Sequence, residues 1–218
     1  GLTPSAIRRT AGPMLVITVG LPLALQTDRV ILAHAGTDVD LAEYALALQL
    51  YTPVWSALAL VGLSLWPIFT RLRGANASGR RTLTHALLAF TGAGVGGAIG
   101  LLLLMPWIGA FLAGARISIS DALAVSFGIF LVVQCIQLPL GMFLTSEAGL
   151  RFQAWCVLAM VPVSCVLSYV LAPPLGPVGP VVGSTVAVLL CQVIPGAYFA
   201  YVRAQPTSNS ALPMEVEP

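Results

Sequence analysis

Residues 122–145 read ALAVSFGIFLVVQCIQLPLGMFLT, a stretch with no Asp, Glu, Lys or Arg. A helix of about 20 apolar residues crosses the hydrocarbon of a bilayer, so this segment predicts a transmembrane span. Working outward, the same reading gives five more spans, at about 12–34, 42–69, 83–107, 152–172 and 177–202. Short polar or Pro/Gly-rich joints separate them. The span at 42–69 is long enough to tilt or to extend past the membrane. The expected fold is an all-α integral membrane protein with six transmembrane helices in one unit, residues 1–203. Residues 204–218, rich in Pro, Ser and Glu, are expected to form a disordered cytoplasmic tail.

Composition supports this class and excludes others. Apolar residues make up 58% of the chain and charged ones 8%, against roughly 25% charged in a soluble domain. Mean hydropathy is +0.94. A soluble fold of this size leaves about 30% of its unfolded surface wet, so so much apolar surface could not be hidden. A water-soluble enzyme or a nucleic-acid-binding module is therefore not expected, and a net charge of +2 offers no general attraction for a polyanion. Cys135, Cys156, Cys165 and Cys191 sit inside apolar runs, with no C-x-x-C pair and no His at ligand spacing. They read as packing residues, and neither a metal site nor a cofactor is implied. His34 and His85 lie near span ends and read as interfacial side chains. No span carries paired acids or a Ser/His set, so no catalytic residues are proposed and the chain is not expected to be an enzyme. The opening residues from Gly1 lack the pattern of a signal peptide. The expectation is a C-terminal part of a longer polypeptide.

The arginines orient the spans. Arg8, Arg9, Arg71, Arg73, Arg80, Arg81, Arg151 and Arg203 fall on one side of the membrane, and Arg29 and Arg116 fall toward the other. Asp38, Asp40 and Glu43 share that second side. Positive residues stay in the cytoplasm, which places both termini there.

Polar residues within spans face other helices or water, because lipid tails cannot solvate them. Thr18, Pro22, Gln26 and Arg29 recur at helical spacing in the first span, as do Gln49, Thr52 and Ser56 in the second. Ser126, Gln134, Gln137, Gly141 and Thr145 form a stripe in the fourth, and Thr185 and Gln192 share a face in the sixth. Each stripe alone could make interhelical hydrogen bonds worth about 0.6 kcal/mol. Four together point to a shared aqueous cavity. Pro22, Pro53, Pro139, Pro162 and Pro195 lie inside spans, and each removes one helical hydrogen bond. The sharpest feature is the adjacent charged pair Asp28-Arg29. Arg29 shares the Thr18/Gln26 face and could meet an anionic ligand. Asp28 points elsewhere and could meet another helix or a cation. Gly92, Gly96 and Gly100 form a G-x-x-x-G series, which predicts close helix packing.

The order of features resembles the C-terminal six-helix lobe of bacterial polysaccharide flippases. These belong to the multidrug/oligosaccharidyl-lipid/polysaccharide exporter superfamily. The residues that carry the resemblance begin with Gly12-Pro13 at the start of the first helix and Gln26-Thr27-Asp28-Arg29-Val30-Ile31-Leu32 at its end. Leu41-Ala42-Glu43-Tyr44 and Leu65-Trp66-Pro67 follow on the second, then an arginine-rich joint, then Leu175-Gly176-Pro177-Val178-Gly179 before the sixth. The resemblance implies one lobe of a two-lobed transporter that alternates between inward- and outward-facing states. It implies a bacterial cytoplasmic membrane, membrane lipid and an N-terminal lobe as partners, and a polyprenyl-diphosphate-linked oligosaccharide as substrate. Arg29 would meet the diphosphate or acidic sugars. Asp28, Gln26, Thr18, Gln49, Gln134, Gln137 and Gln192 would line the cavity. A drug/cation antiporter of the same superfamily and a non-transporting scaffold for glycan synthesis stay open beside it.

The orientation is directly testable. Reporter fusions after Arg203 and within the joint at 74–80 should score as cytoplasmic, and a fusion at Thr37 as external. A cytoplasmic score at Thr37 would overturn the topology.

Overall fold

The computed structural model of the chain describes residues 4–74, 79–112 and 119–203, and the expected tail at 204–218 lies outside them. The described residues are helical, with no strand among them. In chain order they form α1 (Pro4–Ala35), α2 (Asp38–Leu63), α3 (Leu65–Gly74), α4 (Arg80–Leu112), α5 (Asp121–Phe143), α6 (Glu147–Leu175), α7 (Val178–Val188), a π-helical turn (Leu189–Val193) and α8 (Ile194–Arg203).

Among the described residues five segments are long and apolar enough to cross a membrane: Asp38–Leu72, Arg80–Met105, Asp121–Phe143, Glu147–Leu175 and Val178–Val202. The first expected span lies on α1 and is not one of the five. The side chains of Thr18 and Pro22 on that helix are outside the described residues.

Local chemistry sets the helix limits. Thr37 caps α2 with a reciprocal pair: its Oγ1 accepts from the Asp40 N–H at 3.2 Å, and its own N–H donates to Asp40 Oδ2 at 2.9 Å. Ser120 and Ser146 cap α5 and α6 through their hydroxyl oxygens. The expected continuous helix at 42–69 is broken at Ser64. Pro67 has no N–H to give the Leu63 carbonyl, so α2 stops and Pro67 falls in the first turn of α3, where proline is tolerated. Pro53, Pro139 and Pro162 lie inside helices that run on through them.

The bundle has two chemically different ends. At one, the Ser120 N–H donates to Glu43 Oε1 at 2.7 Å, and the α6–α7 joint at Gly176 lies against Asp40. Gly176 has φ +57°, a conformation that L side chains rarely adopt. At the other end Phe152 stacks on Phe199 at 4.4 Å, Phe69 meets Phe143 edge-on at 5.5 Å, and Arg80 lies over the Tyr201 ring at 4.7 Å. Arg71, Arg80, Arg81 and Arg151 belong to segments that converge on this second end. The acidic caps Asp38, Asp40 and Glu43 gather at the first.

α5 is the central helix, with 72% of its most apolar stretch buried. It packs against α2, α3, α4, α7 and α8, while α6 packs against α1 and α7. Tyr44, Tyr51, Phe127 and Phe130 form a chain of rings 5.3–5.7 Å apart between α2 and α5. Such pairs add about 0.5–1.5 kcal/mol each beyond their burial.

Gly92, Gly96 and Gly100 do not pack as expected: a Cβ added at any of them meets nothing within 4 Å. The spacing marked a real face of α4, but α5 covers the neighbouring one. Close approaches fall instead at Gly62, against Leu138, at Gly94, against Cys135, and at Gly179 and Gly183, where an added Cβ would meet α6 backbone at Leu171 and, 2.7 Å away, at Ser168. Backbone cannot yield as a side-chain tip can, so Gly183→Ala should lower stability by about 1–3 kcal/mol. Gly92→Ala should be neutral or gain about 0.5–1 kcal/mol from helix propensity. Equilibrium unfolding in mixed micelles checks both.

Candidate functional site

Asp28 is the centre of the most buried polar group in the fold. Its side chain is 1% exposed. Ser168 donates to Oδ1 and Ser184 to Oδ2, both at 2.8 Å. Ser164 stands 3.0 Å from Ser184. A serine carries one O–H, and that of Ser184 is committed to Asp28, so Ser164 donates to Ser184. The Tyr44 hydroxyl is within hydrogen-bonding reach of the same carboxyl. The group thus joins α1, α2, α6 and α7. Asp28, Tyr44, Ser168 and Ser184 sit about two helical turns in from the acidic end and Ser164 about three, so the junction closes that half of the bundle.

The other half holds a cavity of about 370 Å³. Gln134, Gln137 and Gly141 of α5 and Thr145 of the joint after it face it, with Gln153 and Cys156 of α6 and Gln192 of the π-turn. Trp55, Trp66, Met14 and Phe152 complete its apolar walls. Gly141 keeps the cavity-facing side of α5 small there, and the helix ends nearby. The Gly141 carbonyl, one of the last four of α5, accepts from Gln153 Nε2 at 3.0 Å. Gln192 is offered by the π-turn, whose extra backbone residue falls just before Pro195; the Ile194 N–H reaches back to the Leu189 carbonyl.

The expected site residues therefore divide. Gln134, Gln137 and Gln192 come together in the cavity. Asp28 lies in the serine junction instead. Gln26, Arg29 and Gln49 are exposed and are not among the residues lining the cavity, and Thr18 has its side chain outside the described residues. The other stripe members, Ser126 and Thr185, are buried and donate to the carbonyls of Leu123 and Val181 on their own helices. His34 and His85 likewise donate to carbonyls four residues back. Among the described residues, Gln26 and Arg29 of the α1 stripe and Gln49, Thr52 and Ser56 of the α2 stripe are exposed, while Gln134, Gln137 and Gly141 of the α5 stripe line the cavity.

Ser164, Ser168, Ser184, Gln153 and Trp55 were not singled out from the sequence, and Tyr44 and Trp66 entered only as members of the motifs that carry the resemblance. Ser164 and Ser168 carried a signal, since two serines four residues apart share one face of an otherwise apolar helix. Asp28, the partner of Ser168, is 140 residues away in the chain.

Ser168→Ala and Ser184→Ala should each cost about 1–3 kcal/mol, because each leaves a buried carboxyl oxygen short of a donor. The double variant should depart from their sum by more than about 0.5 kcal/mol, since both act on one group. Ser56→Ala, at an exposed position, should stay within about 0.5 kcal/mol of the parent. Unfolding titrations of the four proteins decide it. No protein-family model, no curated protein and no solved structure matches the chain.

Proposed function

We propose that this chain is one six-helix lobe of a membrane carrier that moves polyprenyl-diphosphate-linked oligosaccharide across the bacterial cytoplasmic membrane, with both termini cytoplasmic. The observation that carries the reading is the exposed polar surface of α1 and α2. Gln26 and Arg29 on one helix, and Gln49, Thr52 and Ser56 on the other, are exposed on helices otherwise rich in apolar residues. Thr52 satisfies its hydroxyl on the Leu48 carbonyl at 2.7 Å. Hydrocarbon offers the amides and the guanidinium nothing comparable, so this surface calls for water, a partner helix or a polar cargo.

In this reading a second lobe faces α1 and α2 across a wet path. The lipid-linked headgroup enters from the arginine-rich side. Arg29 neutralises part of the diphosphate charge, and Gln26 and Gln49 replace water around the sugars. Rocking of the lobes exposes the path to the other side. The cargo drives that change only through unequal affinity for the two states. The Asp28 junction holds α1 rigidly to α6 and α7, so the lobe moves as one body. A drug/cation antiporter would need an acidic group open to its cargo. The Asp28 carboxyl is enclosed by Ser168, Ser184 and Tyr44, which ranks that reading second.

Cells depleted of the gene should accumulate lipid-linked oligosaccharide on the cytoplasmic leaflet, detected with an impermeant sugar-modifying reagent. Arg29→Ala in the full-length protein should slow export about tenfold, a loss of ~1.4 kcal/mol, while the protein still inserts. Normal export by a stably expressed Arg29→Ala protein would refute the role of Arg29. Polymer export without accumulation in depleted cells would refute transport of the lipid-linked glycan and leave the antiporter and scaffold readings.

A further inference from the structure

The cavity beside α5 takes apolar side chains of α1 and α2 as walls, among them Met14, Ile17 and Trp55, but none of Gln26, Arg29, Gln49, Thr52 or Ser56 lines it, and its chemistry differs from theirs. We infer that it is a binding site for an uncharged, hydroxyl-bearing amphiphile, of the class of neutral alkyl or prenyl glycosides, and that it rejects the carboxylate-bearing counterpart. The inference stands whether or not the α1/α2 surface lines a transport path.

Three features carry it. The cavity, at about 370 Å³, is within the size range of small-molecule sites, and like them it is mostly apolar with a few convergent polar groups. Its polar groups are amides and a hydroxyl: Gln134, Gln137, Gln153, Gln192 and Thr145. No Asp, Glu, Lys or Arg occurs among the described residues that line it. An anionic group entering here would leave water with no counter-charge to meet it, which is costly.

Gln153 Nε2 is met by the Gly141 carbonyl, but two of the other amides are poorly answered by the protein. Gln137 Oε1 is buried with no hydrogen-bond partner. Gln192 is 3% exposed, and its Nε2 donates to the thioether of Met160 at 2.7 Å, a weak acceptor in place of an oxygen. Gln134 is 4% exposed and faces the same space. The site thus offers an acceptor in want of a donor and a donor in want of a better acceptor. A hydroxyl group is both at once. Gln137 Oε1 is enclosed as it stands, so the Gln137 amide would turn toward the cavity to accept from a ring hydroxyl while Gln192 donates to another, with the C–H faces of the ring resting on Trp55 or Trp66. The remaining apolar wall suits an alkyl or prenyl chain. Buried polar groups of this kind discriminate strongly, because a ligand that leaves them unpaired pays for it.

The test uses the full chain in lipid nanodiscs, with Trp107→Phe and Trp155→Phe, so that only Trp55 and Trp66 report. Octyl β-glucoside is titrated below its micellar concentration, against octyl β-glucuronide and against empty nanodiscs. The glucoside should change the tryptophan fluorescence saturably, and the glucuronide should bind at least tenfold more weakly. Gln137→Leu should weaken the glucoside at least fivefold and leave the thermal unfolding midpoint within a few degrees. Equal binding of the two probes, or no saturable signal from the glucoside, would overturn the inference. That comparison needs no site variant, so it decides even if Gln137→Leu fails to fold. Unchanged transport in depleted cells, with glucoside binding intact, would count against the carrier reading alone.

Discussion

A single carboxyl group, Asp28, receives hydroxyls from two helices that lie far away in the chain. In an apolar bundle the hydrophobic effect gives little direction to helix association, because lipid tails are as apolar as leucine. Polar groups then fix which helix meets which. Asp28 cannot be left without donors in this setting, and Ser168 and Ser184 supply them from α6 and α7. The close approach that lets them do so depends on Gly183, whose missing Cβ would press on the Ser168 backbone. Position, register and partner choice for α1 follow from that one cluster.

The two halves of the molecule then differ in kind. Toward the acidic end, serines, tyrosine and carboxyl satisfy one another and leave no room. Toward the arginine-rich end, glutamine amides line open space and one stays unmatched. A bundle of uniformly apolar helices would have neither feature. Polar groups are costly inside spans, so their unequal satisfaction marks one half as structural and the other as a place where something binds.

Helical class was legible in the sequence because it depends on composition and on run length, as in residues 122–145. The α5 stripe was legible because its spacing alone puts Gln134, Gln137, Gly141 and Thr145 on one face. What spacing does not say is which face a neighbour covers. That is why Gly92, Gly96 and Gly100 look outward while Gly179 and Gly183, hidden beside a turn, make the tight contact. It is also why Arg29 and Gln26 share a surface apart from the cavity. The partners of Asp28 were illegible for another reason. Serine is common and neutral, and a contact across 140 or more residues leaves no local trace.

The π-turn at Leu189–Val193 has a consequence for how this helix tolerates change in length. A π-turn holds one more residue than the α-helical turn it replaces, and here it ends beside Pro195. Ordinarily the loss of one codon inside a membrane helix rotates everything downstream by about 100° and turns its buried face outward. Within 189–193 the same deletion would only tighten the coil, and Gly196 and Ala200 would keep their inward aim. This short segment is thus the place in the last span where a reading frame can lose a residue and the bundle keep its packing.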